Sequence, residues 1–446
     1  MKTNTATFRF KPFSRKQTQV LTWWTDGSPV KDYDGIIADG SIRSGKTLSM
    51  SLAFVVWAMT MFNGMNFAMC GKTIGSFRRN VLTPLKPMLR SRGYSVEEIR
   101  SENLVIIAKD GIENYFYVFG GKDERSQDLI QGLTLAGLLC DEVALMPQSF
   151  VNQATARCSV EGAKLWFNCN PGNPNHFFYK EWIKQWREKN LLYLHFTMDD
   201  NLSLSESVKA RYRGLYSGVF FKRYIAGQWV AADGLCYQAF ADNPEKWIKD
   251  AVSPEDGKIE FISIGVDFGG NRSLTTFVAT AFHGNFSKIG FIKDHHITGR
   301  KGEIDANRVN AEFIRFVKEI QAEYKAPVRY AFCDNEAQYL INGLVKATKS
   351  AGLSVSVGDC QKNAIISRII AMNTLLSANR VYFLRCCELV IDGFKAAAWD
   401  SKAAEKGRDE RLDDFSSDID IVDGAEYSFS RFLRRLTPDI VKKDGD

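Results

Sequence analysis

The feature that most constrains this sequence is segment 40–47, which reads Gly-Ser-Ile-Arg-Ser-Gly-Lys-Thr. It matches the pattern G-x-x-x-x-G-K-[ST] in full. A short apolar run at 35–38 precedes the segment, and a longer apolar run at 48–62 follows it. A strand, a glycine-rich loop and a helix in this order predict a loop whose backbone N–H groups converge on phosphate oxygens.

The residues of this loop have distinct predicted roles. Lys46 is expected to bridge the β- and γ-phosphates of a nucleotide, and the Thr47 hydroxyl is expected to bind Mg²⁺. Arg43 is a candidate for stabilising charge on the transferred phosphoryl group, and a surface arginine that only supports the loop fits the sequence equally well. The predicted nucleotide-binding residues of the loop are Gly40, Ser41, Arg43, Ser44, Gly45, Lys46 and Thr47.

A pair of carboxylates ends a second apolar run, 135–140. Mg²⁺ held only by Thr47 and phosphate would be poorly bound, so a phosphate loop of this kind needs an acid from a neighbouring strand. Asp141 is expected to hold Mg²⁺ through water, and Glu142 is expected to orient or deprotonate the attacking water. A glutamate beside the aspartate favours hydrolysis over nucleotide binding alone.

Two polar residues are further candidates for the same site. Asn170 precedes Pro171 at the end of the apolar run 165–169, where it could report whether the γ-phosphate is present. A simple turn explains this pair equally well. Gln17, which lies close to Phe13 in the chain, is a candidate contact for the adenine ring.

The pattern of apolar runs predicts two α/β domains. Short apolar runs alternate with helical stretches in residues 1–232, which indicates a wound α/β sheet. Residues 233–257 lose this periodicity and gather turn formers, so they are predicted to be a linker. In residues 258–432, strands at 261–267, 274–282 and 288–294 are expected to form an antiparallel meander, followed by helices at 303–324 and 364–377. Residues 433–446 are predicted to be a flexible tail.

Four acids in the second half predict a metal site. Asp267 and Asp334 each end an apolar strand, and Asp420 and Asp423 share one helical face because they are three residues apart. Attack on a phosphodiester uses two divalent ions about 3.5–4 Å apart, which clustered carboxylates neutralise. The acids resemble an RNase H-like site for two Mg²⁺ or Mn²⁺ ions, with Glu336 as a reserve ligand. Each acid taken alone is explained equally well as a solvated strand or helix end.

Composition sets broad limits on the function. The chain has 446 residues and is 45% hydrophobic and 25% charged, which is typical of a globular protein with roughly two or three domains. The formal net charge of +6 is compatible with a polyanionic partner but does not identify one. Nine cysteines without a C-x-x-C pair indicate reduced thiols rather than a disulfide framework.

The sequence also predicts that the protein is neither secreted nor embedded in a membrane. Residues 1–13 lack the apolar core of a signal peptide. The apolar run 48–62 contains Ser49, Ser51 and Thr60 and is too short to span a bilayer. It is predicted to form a buried helix.

The order of these features resembles the large terminase subunits of tailed double-stranded DNA bacteriophages. The resemblance extends from Phe13 to Tyr427. It implies an N-terminal P-loop ATPase with a RecA/ASCE-like sheet and a C-terminal RNase H-like nuclease. The implied cofactors are ATP with Mg²⁺ in the first domain and two Mg²⁺ or Mn²⁺ ions in the second. The family's functional positions match Lys46, Thr47, Asp141, Glu142, Asp267, Asp334 and Asp423.

The resemblance also implies a biological role. ATP hydrolysis would drive double-stranded DNA into a procapsid, and the nuclease would cut concatemeric DNA at initiation and termination. The implied partners are a portal protein on the procapsid and a small terminase subunit, with the chain forming a ring of about five copies. The implied location is the cytoplasm of the bacterial host.

The sequence departs from the family pattern in the last acidic helix. Asp420 stands where related sequences often have a histidine, which leaves the metal preference open. Gly424 and Glu426 stand where alanine and arginine are common. Two other functions are compatible with the motifs: a P-loop helicase or repair translocase with an appended nuclease, and a nucleotide switch with a non-catalytic RNase H-like scaffold.

Overall fold

Two β-sheets, one in each half of the chain, organise the structure. The structure is a computed structural model that describes residues 10–269, 275–297, 306–361, 363–413 and 419–438. The strands of the first sheet are β1 (Gly35–Gly40), β2 (Asn66–Gly71), β3 (Ser95–Ile99), β4 (Leu104–Lys109), β5 (Ile112–Gly120), β6 (Gly137–Cys140), β7 (Lys164–Asn168) and β8 (Leu191–Phe196).

The first sheet has the strand order β3-β4-β5-β2-β6-β7-β1-β8. Six neighbouring strands, from β5 to β8, are parallel, and β3 and β4 add an antiparallel edge. The strand that precedes the phosphate loop, β1, and the strand that precedes the acidic pair, β6, are separated by β7. Since the carboxyl ends of parallel strands meet at one edge, the three strand ends lie side by side. This arrangement confirms the predicted wound α/β, RecA/ASCE-like sheet.

The second sheet consists of β9 (Ile248–Lys249), β10 (Ile259–Asp267), β11 (Thr275–His283), β12 (Ile289–Ile297), β13 (Val328–Cys333), β14 (Ser356–Asp359) and β15 (Val381–Leu384). Its order is β14-β13-β10-β11-β12-β15-β9. Strands β10, β11 and β12 form the predicted antiparallel meander, and β13 pairs with β10 in parallel. This topology confirms the predicted RNase H-like class.

Helices flank both sheets. The α-helices are α1 (Arg15–Thr22), α2 (Lys46–Met61), α3 (Ile74–Phe77), α4 (Thr83–Arg90), α5 (Gln148–Ala156), α6 (Glu206–Leu215), α7 (Gly218–Phe220), α8 (Gln238–Asp242), α9 (Ala306–Tyr324), α10 (Gln338–Ser350), α11 (Ile365–Ser377), α12 (Glu388–Ala396), α13 (Ser401–Glu405), α14 (Ile419–Ser430) and α15 (Leu433–Leu436). Single π-helical turns occur at Arg78–Leu82, Tyr179–Ile183 and Phe221–Ile225. Short 3₁₀ turns occur at Arg100–Glu102, Glu124–Ile130, Val143–Leu145, Met198–Asp200, Pro244–Lys246, Pro254–Asp256 and Gly284–Phe286.

The helix after the phosphate loop, α2, is buried along most of its length, as the apolar run predicted. None of the helices in the described ranges has both the length and the apolarity needed to cross a membrane. All nine cysteines lie in the described ranges and are free thiols, which agrees with the predicted absence of disulfides.

The prediction of a linker at 233–257 was wrong. Tyr237, Phe240 and Trp247 are buried in the core of the second sheet, and β9 pairs with β15 at its edge. The turn formers in this segment separate short packed elements, since prolines begin two of its helical turns. The aromatic residues between those turns supply the apolar surface that an exposed linker lacks.

The first residues of the predicted flexible tail are packed against the second sheet. Leu433 and Leu436 are buried in the short helix α15, and the carbonyl oxygen of Leu436 accepts a hydrogen bond of 2.9 Å from Arg380. Residues 439–446 of the predicted tail, 1–9 of the predicted first domain and 303–305 of the predicted helix lie outside the described residues.

Residues 198–226 connect the two halves of the molecule. The carbonyl oxygen of Tyr224 accepts a hydrogen bond of 2.9 Å from the Ile42 N–H in the phosphate loop. The carbonyl oxygen of Leu215 accepts one of 3.1 Å from the Thr374 hydroxyl in α11. The apolar core of the second sheet therefore continues into this segment, where it includes Tyr212.

We predict that Asp256→Asn destabilises the second half of the chain. The Asp256 carboxylate accepts hydrogen bonds from Lys249 (2.6 Å) and Lys288 (2.7 Å) and from the backbone N–H of Ser253 (3.0 Å). Burial opposes ionisation of Asp256, but these hydrogen bonds outweigh it and hold its pKa well below the usual value. The substitution should lower the free energy of unfolding at neutral pH by about 2 kcal/mol, measured by chemical denaturation.

The pH dependence of this difference has a defined sign. A carboxyl group whose pKa is lowered by folding contributes stability above its unfolded pKa of about 4 and loses that contribution as the pH falls. The two proteins should therefore converge in stability under acid conditions. Asp250→Asn, at a side chain that is 85% exposed, is the control and should change stability little. Equal stability of the Asp256 variant and the wild type at neutral pH would refute this account.

Candidate active sites

The phosphate loop connects β1 to α2 in a conformation that requires glycine. Gly40 and Gly45 have φ angles of 126° and 85°. A Cβ atom at Gly40 would lie 1.9 Å from the carbonyl oxygen of Phe196, and one at Gly45 would lie 2.3 Å from Nε2 of Gln17. The two glycines therefore let the loop pass close to β8 on one side and α1 on the other.

The Lys46 ammonium group lies over the phosphate loop. Its side chain is buried, and Nζ donates hydrogen bonds to the carbonyl oxygens of Gly40 (3.0 Å) and Ser41 (2.7 Å) and to the Ser44 hydroxyl (3.1 Å). These are oxygen acceptors held by the loop itself. A phosphate bound in the loop would present the same kind of oxygen to this donor.

The structure brings Thr47 and Asp141 together, as their predicted shared role requires. The Thr47 hydroxyl donates to Oδ1 of Asp141 at 2.9 Å. The side-chain amide of Asn168 donates to the same oxygen at 2.9 Å and is almost fully buried. Asn168 was not among the predicted site residues, although its position at the end of β7, next to the Asp-Glu strand, was a usable signal.

Asn170 joins the lysine and the glutamate of the site. Its Nδ2 donates to both carboxylate oxygens of Glu142, at 2.8 and 2.7 Å, and its Oδ1 accepts from Lys46 at 3.3 Å. Glu142 has a positive φ of 57°, and its N–H donates to Oδ1 of Asn168 at 3.3 Å. The arrangement places the predicted sensor in direct contact with the residue predicted to activate water.

Arg43 and Gln17 lie at the rim of this site. Arg43 has a φ of 58°, its carbonyl oxygen accepts from Nδ2 of Asn201 at 2.7 Å, and its guanidinium lies 5.3 Å from the ring centre of Tyr212. Gln17 is buried, and its Oε1 accepts from the Ser14 N–H at 3.0 Å in the capping box of α1. Arg43 belongs to the phosphate loop, and Gln17 lies against it at Gly45. The roles of both residues remain predictions.

A buried carboxylate beneath the loop was missed by sequence reasoning. Asp39 is fully buried and contacts Nδ1 of His195 at 2.9 Å and Nε1 of Trp229 at 2.8 Å. Asp39 therefore links β1 to β8 and to Trp229. Its partners are distant in sequence, so no local pattern marks it.

The predicted acids of the second half lie on elements that adjoin the end of β10. Asp267 is the last residue of β10, Asp334 follows the neighbouring strand β13, and Asp420 and Asp423 lie on α14. The helix approaches the sheet closely at Gly265. A Cβ atom at Gly265 would lie only 1.8 Å from the Gly424 carbonyl oxygen. A glycine pair at this crossing brings the helical acids towards the strand acids.

The surroundings of Asp267 oppose its ionisation. Burial raises the pKa of Asp267 to about 8, and the negative charges of Asp423, Asp420 and Asp334 contribute to this rise. Crowded carboxylates without compensating cations are expected to show this behaviour. Glu336, the reserve candidate, has an exposed side chain, and its N–H donates to Oδ1 of Asp334 at 3.3 Å.

The donor set fits a hard divalent cation, since Mg²⁺ and Mn²⁺ prefer carboxylate oxygens. Within the described ranges, however, no three Asp, Glu, His or Cys side chains stand close enough together to hold one ion. Asp423 is also held by arginines, so its position depends on residues outside the predicted acid set.

Two arginines that the sequence did not reveal neutralise the acidic face of α14. Arg368 and Arg411 both donate to Oδ1 of Asp423, at 2.8 and 2.6 Å. Both also form ion pairs of 2.9 Å with the fully buried carboxylate of Glu426, which accepts a hydrogen bond from Tyr237 as well. The two arginines, which come from other parts of the chain, therefore balance the buried negative charge of Glu426.

The two sites define a P-loop nucleotide-binding protein that continues into an RNase H-like domain. Comparisons with known proteins identify the family. The family model described as terminase large subunit, T4likevirus-type, N-terminal, matches residues 37–241. A search of curated proteins finds no match.

Solved structures extend the match over nearly the whole chain. The large terminase from a thermophilic bacteriophage (crystal form 2) is 44% identical, with a TM-score of 0.84 over 95% of this chain and 100% of that one. The complex of that terminase with ADP matches at 43% identity with a TM-score of 0.81, and its complex with ATP-gamma-S at 42% with 0.80, each over 94% of this chain and 99% of that one. The chain belongs to the large terminase subunit family of bacteriophages.

We predict that Gly45→Ala weakens nucleotide binding. Alanine at a φ of 85° is strained, and its Cβ would meet the Gln17 amide. The loop must therefore shift, and a cost of about 1.4 kcal/mol or more lowers ADP affinity at least tenfold. Titration with a fluorescent ADP analogue measures the change. Gly214→Ala is the control, because no atom lies within 4 Å of its Cβ position. Unchanged ADP affinity of the Gly45 variant would show that the loop does not bind the phosphates as inferred.

Proposed function

We propose that this chain is the ATP-driven motor that moves double-stranded DNA into a procapsid and cuts it with its own metal-dependent nuclease. The observation that carries the proposal is the set of contacts linking Lys46, Asn170 and Glu142 opposite the phosphate loop. The family membership of the chain supports the link to packaging.

The first site supports ATP hydrolysis in the following way. Lys46 binds the β- and γ-phosphates, while Thr47 and Asp141 would hold Mg²⁺, which neutralises charge on the phosphates. Glu142 orients the attacking water and accepts its proton. Asn170 donates hydrogen bonds to both carboxylate oxygens of Glu142. A γ-phosphate that attracts Asn170 or Lys46 would weaken these hydrogen bonds and let the Glu142 side chain move.

The second site supports cleavage of DNA. Asp267, Asp334, Asp420 and Asp423 would hold two Mg²⁺ or Mn²⁺ ions, which would activate the attacking water and stabilise the charge that develops in an in-line displacement at the phosphodiester. Burial and the negative charges of the other three acids raise the pKa of Asp267, so bound cations would favour its ionised form. The four side chains would thus hold the ions, and the ions would hold the DNA phosphate.

The proposed setting follows from the family. The chain acts in the cytoplasm of a bacterial host as a ring of about five copies docked on a portal protein. A small terminase subunit selects the DNA, and the nuclease cuts concatemeric DNA at the start and end of packaging. Arg43 is proposed to stabilise phosphoryl transfer, and Gln17 to contact adenine.

We predict that Glu142→Gln abolishes ATP turnover without abolishing binding. Glutamine keeps the size of the side chain but cannot accept the proton of water, so turnover should fall about 100-fold or more. Phosphate release measures turnover, and ADP affinity should stay near that of the wild type. Glu188→Gln, at an exposed surface position, is the control. Hydrolysis by the Glu142 variant at the wild-type rate would assign water activation to another residue.

We predict that Asp267→Asn eliminates nicking of plasmid DNA in the presence of Mn²⁺ or Mg²⁺. Asparagine fits the same space but removes the negative charge that a divalent ion requires. ATP turnover should persist, because the substituted residue belongs to the other sheet. Asp392→Asn, whose side chain is 73% exposed on α12, is the matched control. A variant that still nicks DNA would leave the RNase H-like domain as a scaffold without nuclease activity.

A further inference from the structure

A hairpin-like segment of the RNase H-like half reaches the ATPase half. We name residues 398–412 the docking arm. Trp399 and Arg411 pair in an antiparallel bridge, and the Asp400 N–H donates to the Glu410 carbonyl oxygen at 2.9 Å. The helix α13 lies between these two sides, so the arm has a paired base and a helical end.

The far end of the arm is held by the ATPase half. Asp409 accepts two hydrogen bonds from the Arg223 guanidinium, at 2.5 and 3.1 Å, in a bidentate pair. Arg223 is only 2% exposed and also donates to the Val230 carbonyl oxygen. Asn173 adds hydrogen bonds to Asp409 (3.3 Å) and to the Ala404 carbonyl oxygen (3.1 Å). A buried bidentate arginine–carboxylate pair fixes orientation as well as distance.

The residues that hold the arm are direct neighbours of the nucleotide site. Asn173 lies three residues after Asn170, which contacts both Lys46 and Glu142. Arg223 adjoins Tyr224, whose carbonyl oxygen accepts the N–H of Ile42 in the phosphate loop at 2.9 Å. Both anchors of the arm therefore lie within a few residues of groups that contact the phosphate loop or its lysine.

The base of the arm ends at the proposed nuclease site. Arg411, two residues after Asp409, is almost fully buried and donates to Oδ1 of Asp423 at 2.6 Å and to Oε1 of Glu426 at 2.9 Å. Arg368 donates to the same Oδ1 atom of Asp423. The hydrogen bonds that the two guanidinium groups donate to Asp423 thus end on Oδ1 rather than on Oδ2.

We propose that Arg411 is a positioning residue that turns Oδ2 of Asp423 towards the nuclease metals, and that the ATPase half sets Arg411 in place through its grip on Asp409. The inference rests on the proposed nuclease function. Donors behind a metal ligand fix its orientation, and their loss typically lowers metal affinity 10- to 100-fold.

The test measures Mn²⁺ binding to the full-length protein by calorimetry, without nucleotide or DNA. The double variant Arg411→Gln with Glu426→Gln removes one positive and one negative charge, so it tests orientation rather than net charge. We expect its Mn²⁺ affinity to fall about tenfold or more. Asp409→Asn, which leaves the site residues intact, should lower the affinity in the same direction. Thermal unfolding checks that each variant is folded.

Two reference variants separate the possible failures. Arg408→Gln, on the same arm in a partly exposed ion pair with Glu410, should bind Mn²⁺ like the wild type. Asp267→Asn should lose the binding event altogether. If Asp267→Asn binds Mn²⁺ as the wild type does, the proposed metal site itself fails. If only Asp267→Asn loses binding, the metal site stands and the positioning role of Arg411 is overturned. If the double variant loses affinity but Asp409→Asn does not, control by the ATPase half is overturned.

Discussion

The hydrogen bonds from two asparagines to two acids organise the nucleotide site. Asn168 holds Asp141, and Asn170 holds Glu142, across the boundary between β7 and β6. These contacts exist because β7 lies between the strand that precedes the acids and the strand that precedes the phosphate loop. Strand order, rather than spacing along the chain, thus sets the distance between Lys46 and Glu142.

In the second half of the chain, a close contact between the backbones of α14 and β10 positions the acids. The approach of α14 to β10 leaves no room for a side chain at Gly265, and a Cβ atom at Gly424 would lie 2.8 Å from the Thr276 hydroxyl of β11. This approach places α14 beside the end of β10, where burial and the negative charges of neighbouring acids raise the pKa of Asp267. The arginines that pair with Asp423 balance part of the negative charge of α14.

Much of both sites could be predicted because their signals are local. The phosphate loop lies in one segment, and the strand-end acids follow recognisable apolar runs. Arg368 and Arg411 could not be predicted, since they lie 55 and 12 residues from Asp423 and only the fold joins them. The linker prediction failed because turn residues were weighed above the aromatic residues between them, such as Trp247.

The apolar core that spans both halves has a consequence for how such chains diverge. Tyr212 and Phe220, which precede the RNase H-like half, pack in the same cluster as Phe240 and Phe383 within it. Because a close-packed interior transmits changes in volume, a substitution on one side must be matched in shape on the other. The two halves are therefore expected to co-evolve. A hybrid that joins halves of unrelated parents near residue 233 would pack poorly where the halves meet.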